Sequence, residues 1–347
     1  MKGLNTSKGG VKNVTVTKPN LTASVKLIVK DEDQQKLIRL HDLYRCACNW
    51  LVDDVVSTRI INRVQLHHYS YYRLRDQFPE LGAQMACNVI RSVSSAYKTL
   101  LSNHPKFKNK EIELKRIVFK NPSVHLDKNT LTYLDENEVS MYTLDGRIRV
   151  LLDIQHYQAK LLALGFRRES NLVFHPRKGK RAAYWALHIT VAIEPSKIEH
   201  LSTSDNVVMG VDIGENNLAA TSNGRIYGGG KLKADRDRYL GYRSRLQRNG
   251  SQSAKQALRR ASGREQRHVT HVNHEISRQI VNDAKANGIE LLVLENLTHI
   301  RDRIKANHRV QSRLHRWAFR ELQEMIVYKG SMAGLVVIKV DPRYTSQ

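Results

Sequence analysis

The chain has 347 residues, 41% of them hydrophobic, with 57 Lys and Arg against 33 Asp and Glu and a formal net charge of +24. That length suits two or three compact units at roughly 150 residues each, and the charge points to a polyanionic partner, either nucleic acid or an anionic membrane surface. No apolar run approaches the ~18 residues of a membrane span and Met1–Asn20 has no secretory h-region, so nucleic acid is favoured and a cytoplasmic location is expected.

In chain order, residues 1–19 are polar and read as a loose arm, and 22–30 alternate apolar and polar residues as a half-buried strand does. From 31 to 56 the period changes: Leu37, Leu40, Leu43, Tyr44, Ala47, Trp50 and Leu51 recur at helical spacing, with Asp31 or Asp33 expected as N-cap. A second helix is predicted over 83–101, lined by Met85, Val89, Val93, Ala96, Tyr97 and Leu100. The three cysteines, Cys46, Cys48 and Cys87, cannot form a disulfide framework and read as reduced structural thiols. Between 112 and 194 short β-like stretches return at 115–119, 148–152 and 184–192, with Asp145-Gly146 as a hairpin turn and Arg177 to Arg181 as a basic loop. The simplest architecture is a small barrel with helices inserted in it, followed by a polar linker over 195–206.

The last part opens with an apolar strand, 207–214, turns at Asn223-Gly224, and continues into two long helices, 231–249 and 252–287, with Gly288 as a left-handed C-cap. A strand over 289–295, a helix around Trp317, and a strand over 335–340 complete it. Three strands, helix, strand, helix, strand is the order of a ribonuclease H-like domain. The first strand carries Asp212 among apolar residues, and the strand of Leu291, Leu292, Val293 and Leu294 closes on Glu295. An ionised side chain buried without a partner costs several kcal/mol or more, so such acids call for a cation, a metal or a hydrogen-bond network. Strands laid side by side would bring both carboxylates to one end, which is how a divalent-metal site is built. The plain alternative for Asp212 alone is a satisfied structural acid.

At this point the sequence resembles the TnpB family, transposon-encoded RNA-guided nucleases related to type V CRISPR effectors. GVDIGENNLAATSNG, starting at Gly210, resembles the first RuvC motif, and LLVLENLTHIRD, starting at Leu291, the second. The helix around Trp317 to Lys329 and the ending VDPRYTSQ match the family's order, and LGAQMACNVIRSVSSAYK is similar to its N-terminal recognition lobe. The resemblance implies a mixed α+β and α/β chain: a wedge-like β-barrel over 1–30 and 112–200, a helical recognition lobe over 31–111, and a ribonuclease H-like (RuvC) domain over 206–347 that lacks its last elements. It maps Asp212 and Glu295 onto the first two catalytic acids, holding two Mg²⁺ ions, and makes guide RNA and target double-stranded DNA the partners. The family continues past the TSQ segment into a Cys-x-x-Cys zinc ribbon and a third acid, whereas this sequence stops at Gln347. A truncated, cleavage-deficient RNA-guided binder is therefore the alternative to an insertion-sequence endonuclease, since losing one member of a catalytic set commonly removes most of its rate.

Thirteen basic residues lie between Arg225 and Arg267 against three acids, Asp235, Asp237 and Glu265. Arg236, Arg238, Arg243, Arg245, Arg248, Arg259, Arg260, Arg264 and Arg267 are the predicted nucleic-acid contacts, because a planar guanidinium suits bidentate phosphate binding along a heteroduplex. A solvated helix face is the plain alternative. His268, His271 and His274, at i, i+3 and i+6, drift around a helix and are not read as metal ligands. Trp50, Tyr69, Tyr71 and Tyr72 could stack on bases, although aromatics at helical spacing are more often core. Sugar-kinase and chaperone ATPases also open with a strand and a Gly-x-Asp-x-Gly turn, but they need a second phosphate hairpin that this sequence does not offer. An integrase-type transposase shares the ribonuclease H-like chemistry, but its second acid would not normally sit in a segment such as Val293-Leu294-Glu295-Asn296-Leu297.

Overall fold

The computed structural model describes residues 15–16, 20–104, 107, 109, 112–179, 181–193, 208–214, 217–296 and 319–340. The linker expected over 195–206 and Trp317 lie outside them. The chain divides into two compact units, Leu21–Ala192 on one hand and Met1–Asn20 with Ile193–Gln347 on the other. The two-residue strand β1 (Thr15–Val16) belongs to the second unit and is described with it.

The first unit starts with β2 (Asn20–Ile28), in which Ala23, Val25 and Leu27 are buried and alternate with exposed Thr22, Ser24 and Lys26. Three helices are then inserted: α1 (Asp31–Thr58), α2 (Arg63–Gln77) and α3 (Ala83–Asn103). Lys30, not Asp31 or Asp33, is the N-cap of α1, and the acids instead occupy its first turn, where they are attracted to the positive end of the helix dipole. Helix α2 has only three buried positions, Leu66, Ser70 and Leu74, too sparse a stripe to announce itself in the sequence. Its start is fixed by Asn62, whose side chain accepts from the amides of Val64 and Gln65. The helices join through Leu37, Tyr44 and Leu51 of α1 and Met85, Val89 and Tyr97 of α3, all fully buried, and the Tyr44 hydroxyl donates to the Asn88 carbonyl at 2.9 Å.

Residues 115–119, predicted as a strand, form no strand and pair with none among the described residues. A tertiary contact takes the place of a strand: the Asn49 side-chain amide on α1 donates to the Phe119 carbonyl and accepts from the Phe119 amide, both at 2.9 Å. A side chain thereby supplies the two hydrogen bonds a neighbouring strand would have made.

The sheet is completed by β3 (Val124–Leu126), β4 (Leu131–Tyr133), β5 (Glu138–Thr143), β6 (Gly146–Asp153), the short helix α4 (His156–Leu162), β7 (Gly165–His175) and β8 (Tyr184–Ile193). Its order is β3-β7-β8-β2-β6-β5-β4. The two edge strands, β3 and β4, are consecutive in the chain, joined by a turn in which Asp127 accepts from the amides of Asn129 and Thr130. The hydroxyls of Tyr133 on β4 and Ser170 on β7 meet at 3.0 Å, so the sheet curls into the nearly closed barrel expected from the sequence.

The second unit contains β9 (Val208–Asp212), β10 (Asn217–Thr221), β11 (Ile226–Gly228), α5 (Gly230–Asn249), α6 (Gln252–Ala286), β12 (Leu291–Glu295), α7 (Phe319–Met332) and β13 (Val336–Val340). The sheet order is β1-β13-β12-β9-β10-β11. Strands β9, β10 and β11 form an antiparallel meander, whereas β12 runs parallel to β9 and β13 parallel to β12. This is the ribonuclease H-like topology. Strand β1 adds to its edge, pairing antiparallel with β13 through Thr15 and Val16, so these two residues, expected in a loose arm beside the barrel, belong to the other sheet.

Met209, Val211, Leu292, Leu294 and Val337 face a core completed by Val269, Ile276, Ile280 and Ala284 of α6 and Leu322 and Ile326 of α7. Gly288 ends the α6 crossover at φ 65° and lets the Ile289 amide bond back to the Ala284 carbonyl at 2.9 Å. Helix α7 lies unusually close to the sheet at Gly330, where an added Cβ would stand 2.8 Å from Val337 Cγ2.

Candidate active site and nucleic-acid interface

Strands β9 and β12 are in register from Val208 opposite Leu291 to Val211 opposite Leu294. One step further along each lie Asp212 and Glu295, at the C-terminal ends of adjacent parallel strands in the middle of the sheet. Alternation sets their direction: Met209 and Val211 on β9, and Leu292 and Leu294 on β12, are buried in the core, so the residues between and beyond them, including Asp212 and Glu295, share the opposite face. Asp212 itself is exposed. The burial penalty that made it conspicuous in the sequence is therefore not incurred, because the strand delivers the carboxylate to the surface at its last position.

The end of β12 is held firmly. The Asn296 amide donates to the Val340 carbonyl at 2.7 Å, and Gln323, 3% exposed on α7, donates from Nε2 to the Glu295 carbonyl at 2.6 Å. On β9, Gly210 exchanges hydrogen bonds with Ser222, accepting from its amide at 2.9 Å and donating to its hydroxyl at 3.1 Å. Two carboxylates on one face offer the hard oxygen donors that Mg²⁺ prefers. Among the described residues no cluster of three or more His, Cys, Asp or Glu side chains is placed to hold a metal.

Helices α5 and α6 form an antiparallel pair carrying all nine predicted arginines. Three of these are occupied within the pair: Arg236 and Arg243 lie 3.9 and 3.5 Å from Glu265, and Arg238 lies 3.5 Å from Asp235. The other six, Arg245, Arg248, Arg259, Arg260, Arg264 and Arg267, are exposed and make no ion pair with the described residues. Arg225, counted in the same basic stretch, bridges to Asp283 on α6, which also accepts from the Tyr227 hydroxyl. Burial first, then the Asp283 carboxylate, pushes the Tyr227 hydroxyl above its ordinary range. This trio ties the meander to α6 and takes Arg225 out of the set available to phosphate.

A cleft of about 590 Å³ runs between α5 and α6, and its lining includes Tyr239 and Tyr242 besides arginines. Sequence reasoning passed over both tyrosines, although a pair at i, i+3 on an arginine-rich helix was visible. The three histidines of α6 do diverge: His268 faces Asp235, His271 faces Glu275, and His274 meets the Tyr328 hydroxyl. Of the four aromatics considered for stacking in the first unit, Tyr72 is 82% exposed and meets only the edge of Tyr71, while the other three contact neighbouring side chains. The Arg73 guanidinium lies over both Trp50 and Tyr69, at 5.5 and 5.3 Å, and donates to Asp54, while Tyr71 stacks on His67. Cys48 is buried with its thiol pushed up by desolvation, and all three cysteines are free.

Residues 188–301, which span β9 through the end of β12 and the whole arginine-rich pair, match the OrfB_IS605 family, described as a probable transposase. Over part of its length the chain is similar to TnpB proteins. It is 31% identical over 163 residues to the TnpB-like protein MJ0751 of Methanocaldococcus jannaschii, covering 45% of this chain and 57% of that one. A 76-residue stretch is 45% identical to the CRISPR-associated endodeoxyribonuclease Cas12f1 of Sulfoacidibacillus thermotolerans, covering 22% of this chain and 16% of the relative. The matched lengths are thus 57% and 16% of those two proteins. In fold, the chain resembles Cas12f1 as seen in a cryo-EM structure of its complex with sgRNA and target DNA, with a TM-score of 0.56, 14% identity, and coverage of 92% of this chain and 75% of that one. The sequence similarity is thus to a TnpB-like protein and to Cas12f1 over part of the chain, and the likeness over most of the chain is one of fold. No helix among the described residues is long and apolar enough to cross a membrane.

Proposed function

We propose that the chain is an RNA-guided DNA-binding protein of the TnpB kind whose second unit hydrolyses a DNA phosphodiester at Asp212 and Glu295. The observation that carries this reading is the pairing of two carboxylates on one face, at the ends of adjacent parallel strands in a ribonuclease H-like sheet. Both would hold Mg²⁺, which when bound activates a water and stabilises the leaving oxygen. Asp212 and Glu295 provide oxygen donors, and the Gln323 and Val340 contacts hold the end of β12, and with it Glu295, in place. The six arginines of α5 and α6 that make no ion pair among the described residues would hold a nucleic-acid backbone by charge and bidentate hydrogen bonds. Guide RNA and target double-stranded DNA are the proposed partners, in keeping with the complex in which the structurally similar Cas12f1 was seen.

A second reading, guided binding without cleavage, draws on the same arginines, since none of them depends on the acid pair. Asp212→Ala separates the two. With RNA and DNA affinity retained within about twofold, loss of Mg²⁺-dependent cutting together with loss of the Mg²⁺-induced rise in melting temperature supports the nuclease. Cutting that persists in the variant rejects the acid pair as the site. A wild-type protein that binds both nucleic acids but neither cuts nor responds thermally to Mg²⁺ establishes the binder instead.

A further inference from the structure

The cleft between α5 and α6 combines two chemistries that a purely electrostatic clamp does not need together. Its α5 wall presents Tyr239 and Tyr242 one helical turn apart, followed by Arg245, and its α6 wall presents Arg260 and Arg264. Ala257 and Ala261 are the small side chains between them, which keeps the floor low. From Asp235 to Arg245 the α5 wall is about 15 Å long at 1.5 Å per residue. Tyr242 is 42% exposed, and neither ring stacks on another aromatic nor bonds through its hydroxyl among the described residues. This differs from α2, where Tyr69 lies against Arg73 and Tyr71 against His67. Two uncommitted rings beside three exposed, unpaired guanidinium groups suit a ligand that alternates flat apolar faces with phosphates. At the far end the carboxylate of Asp235 lies 3.5 Å from Arg238 and 3.3 Å from His268, so the one acid of the lining is already paired and the cleft stays net positive.

We infer that this cleft binds an unpaired stretch of nucleic acid, with bases stacking on Tyr239 and Tyr242 and phosphates lying on Arg245, Arg260 and Arg264. A duplex keeps its base faces inside its own stack and can use only the arginines. The inference deepens the nucleic-acid reading proposed above and rests on it.

The test uses the full chain in EDTA, with fluorescence anisotropy on three probes of equal length: oligo(dT), its abasic counterpart and a blunt DNA duplex. Tyr239→Leu and Tyr242→Leu should each weaken oligo(dT) binding about fivefold or more, as loss of one base–aromatic stack does. The abasic strand and the duplex should change less than about twofold, and Tyr242→Phe should restore oligo(dT) affinity because it keeps the ring. Equal losses on all three probes, or failure of Phe to rescue, would show that the tyrosines only support the helical pair and would overturn the inference. Unchanged oligo(dT) binding in both Leu variants would overturn it as well. An Arg260→Gln, Arg264→Gln double variant that leaves every probe unaffected would instead reject the helical pair as a nucleic-acid site altogether.

Discussion

The salt dependence expected of the proposed duplex binding follows from how the arginines of α5 and α6 are used. Six of the nine, Arg245, Arg248, Arg259, Arg260, Arg264 and Arg267, are exposed with no ion pair among the described residues, while Arg236, Arg238 and Arg243 already face Glu265 or Asp235. If each free guanidinium neutralises one phosphate, the slope of log K against log salt is about −0.9 per contact, or about −5.4 for six, which is about three decades of affinity between roughly 50 and 200 mM salt. Arg260→Gln combined with Arg264→Gln removes two contacts while keeping good helix formers in α6. The expected slope is then about −3.6 and the loss over the same range about two decades. Arg236→Gln serves as the control, because its charge is largely spent on Glu265, and it should leave the slope within about half a unit of wild type. Titrating a fluorescent duplex in EDTA at several salt concentrations measures all three. A flat wild-type titration, or a double variant with the wild-type slope, would refute the clamp; a drop in the Arg236 variant as large as one of the free arginines gives would refute the division between paired and free residues.

Two further expectations concern the packing of α7. Gly330→Ala drives a methyl group into Val337, 2.8 Å from the ideal Cβ, with Leu292 3.5 Å away; overpacking of this kind costs about 1–3 kcal/mol, a fall of several degrees in melting temperature, and an unchanged transition would contradict the close approach of helix and sheet. Lys329 donates from Nζ to the His274 carbonyl and the Ser277 hydroxyl, and burial, aided by Arg278, lowers its pKa from 10.5 to about 8. The unfolded chain keeps that proton up to the ordinary lysine range, so between about pH 8 and 10.5 the folded state binds fewer protons and stability rises with pH. Relative to Lys329→Met, the wild type should therefore melt progressively higher as pH increases from 7 to 9.5, and a difference that stays constant or shrinks would show that Lys329 is not desolvated in the fold.

Much of the second unit was legible because its elements are long or strongly patterned. The strand carrying Asp212, the helix breaks at Gly250 and Gly288, and the strand ending in Glu295 all show in residue type alone, and they fix the order of a ribonuclease H-like sheet. The barrel was legible through alternation in β2, β6 and β8. What escaped notice depends on contacts distant in sequence. Helix α2 buries too few apolar residues to show a period, and residues 115–119 have strand-like composition but take their hydrogen bonds from the Asn49 side chain. The pairing of Thr15 and Val16 with β13 could not be read from two residues in a polar arm. At the site, the two acids stood out by being misplaced among apolar neighbours, although the structure puts Asp212 at the surface. Which arginines are free could not be told in advance, because Glu265 and Asp235 choose their partners across two helices.

The attachment of Thr15 and Val16 to the outer edge of β13 has a practical side. A gene fragment cut at the apparent start of the second unit, near residue 206, would discard the strand that caps β13 and leave its amide and carbonyl groups open to pairing with another copy. Such a fragment should self-associate more strongly than the intact polypeptide. Any attempt to isolate this half would do better by fusing a peptide spanning residues 15–16 to it through a linker than by trimming at the visible boundary.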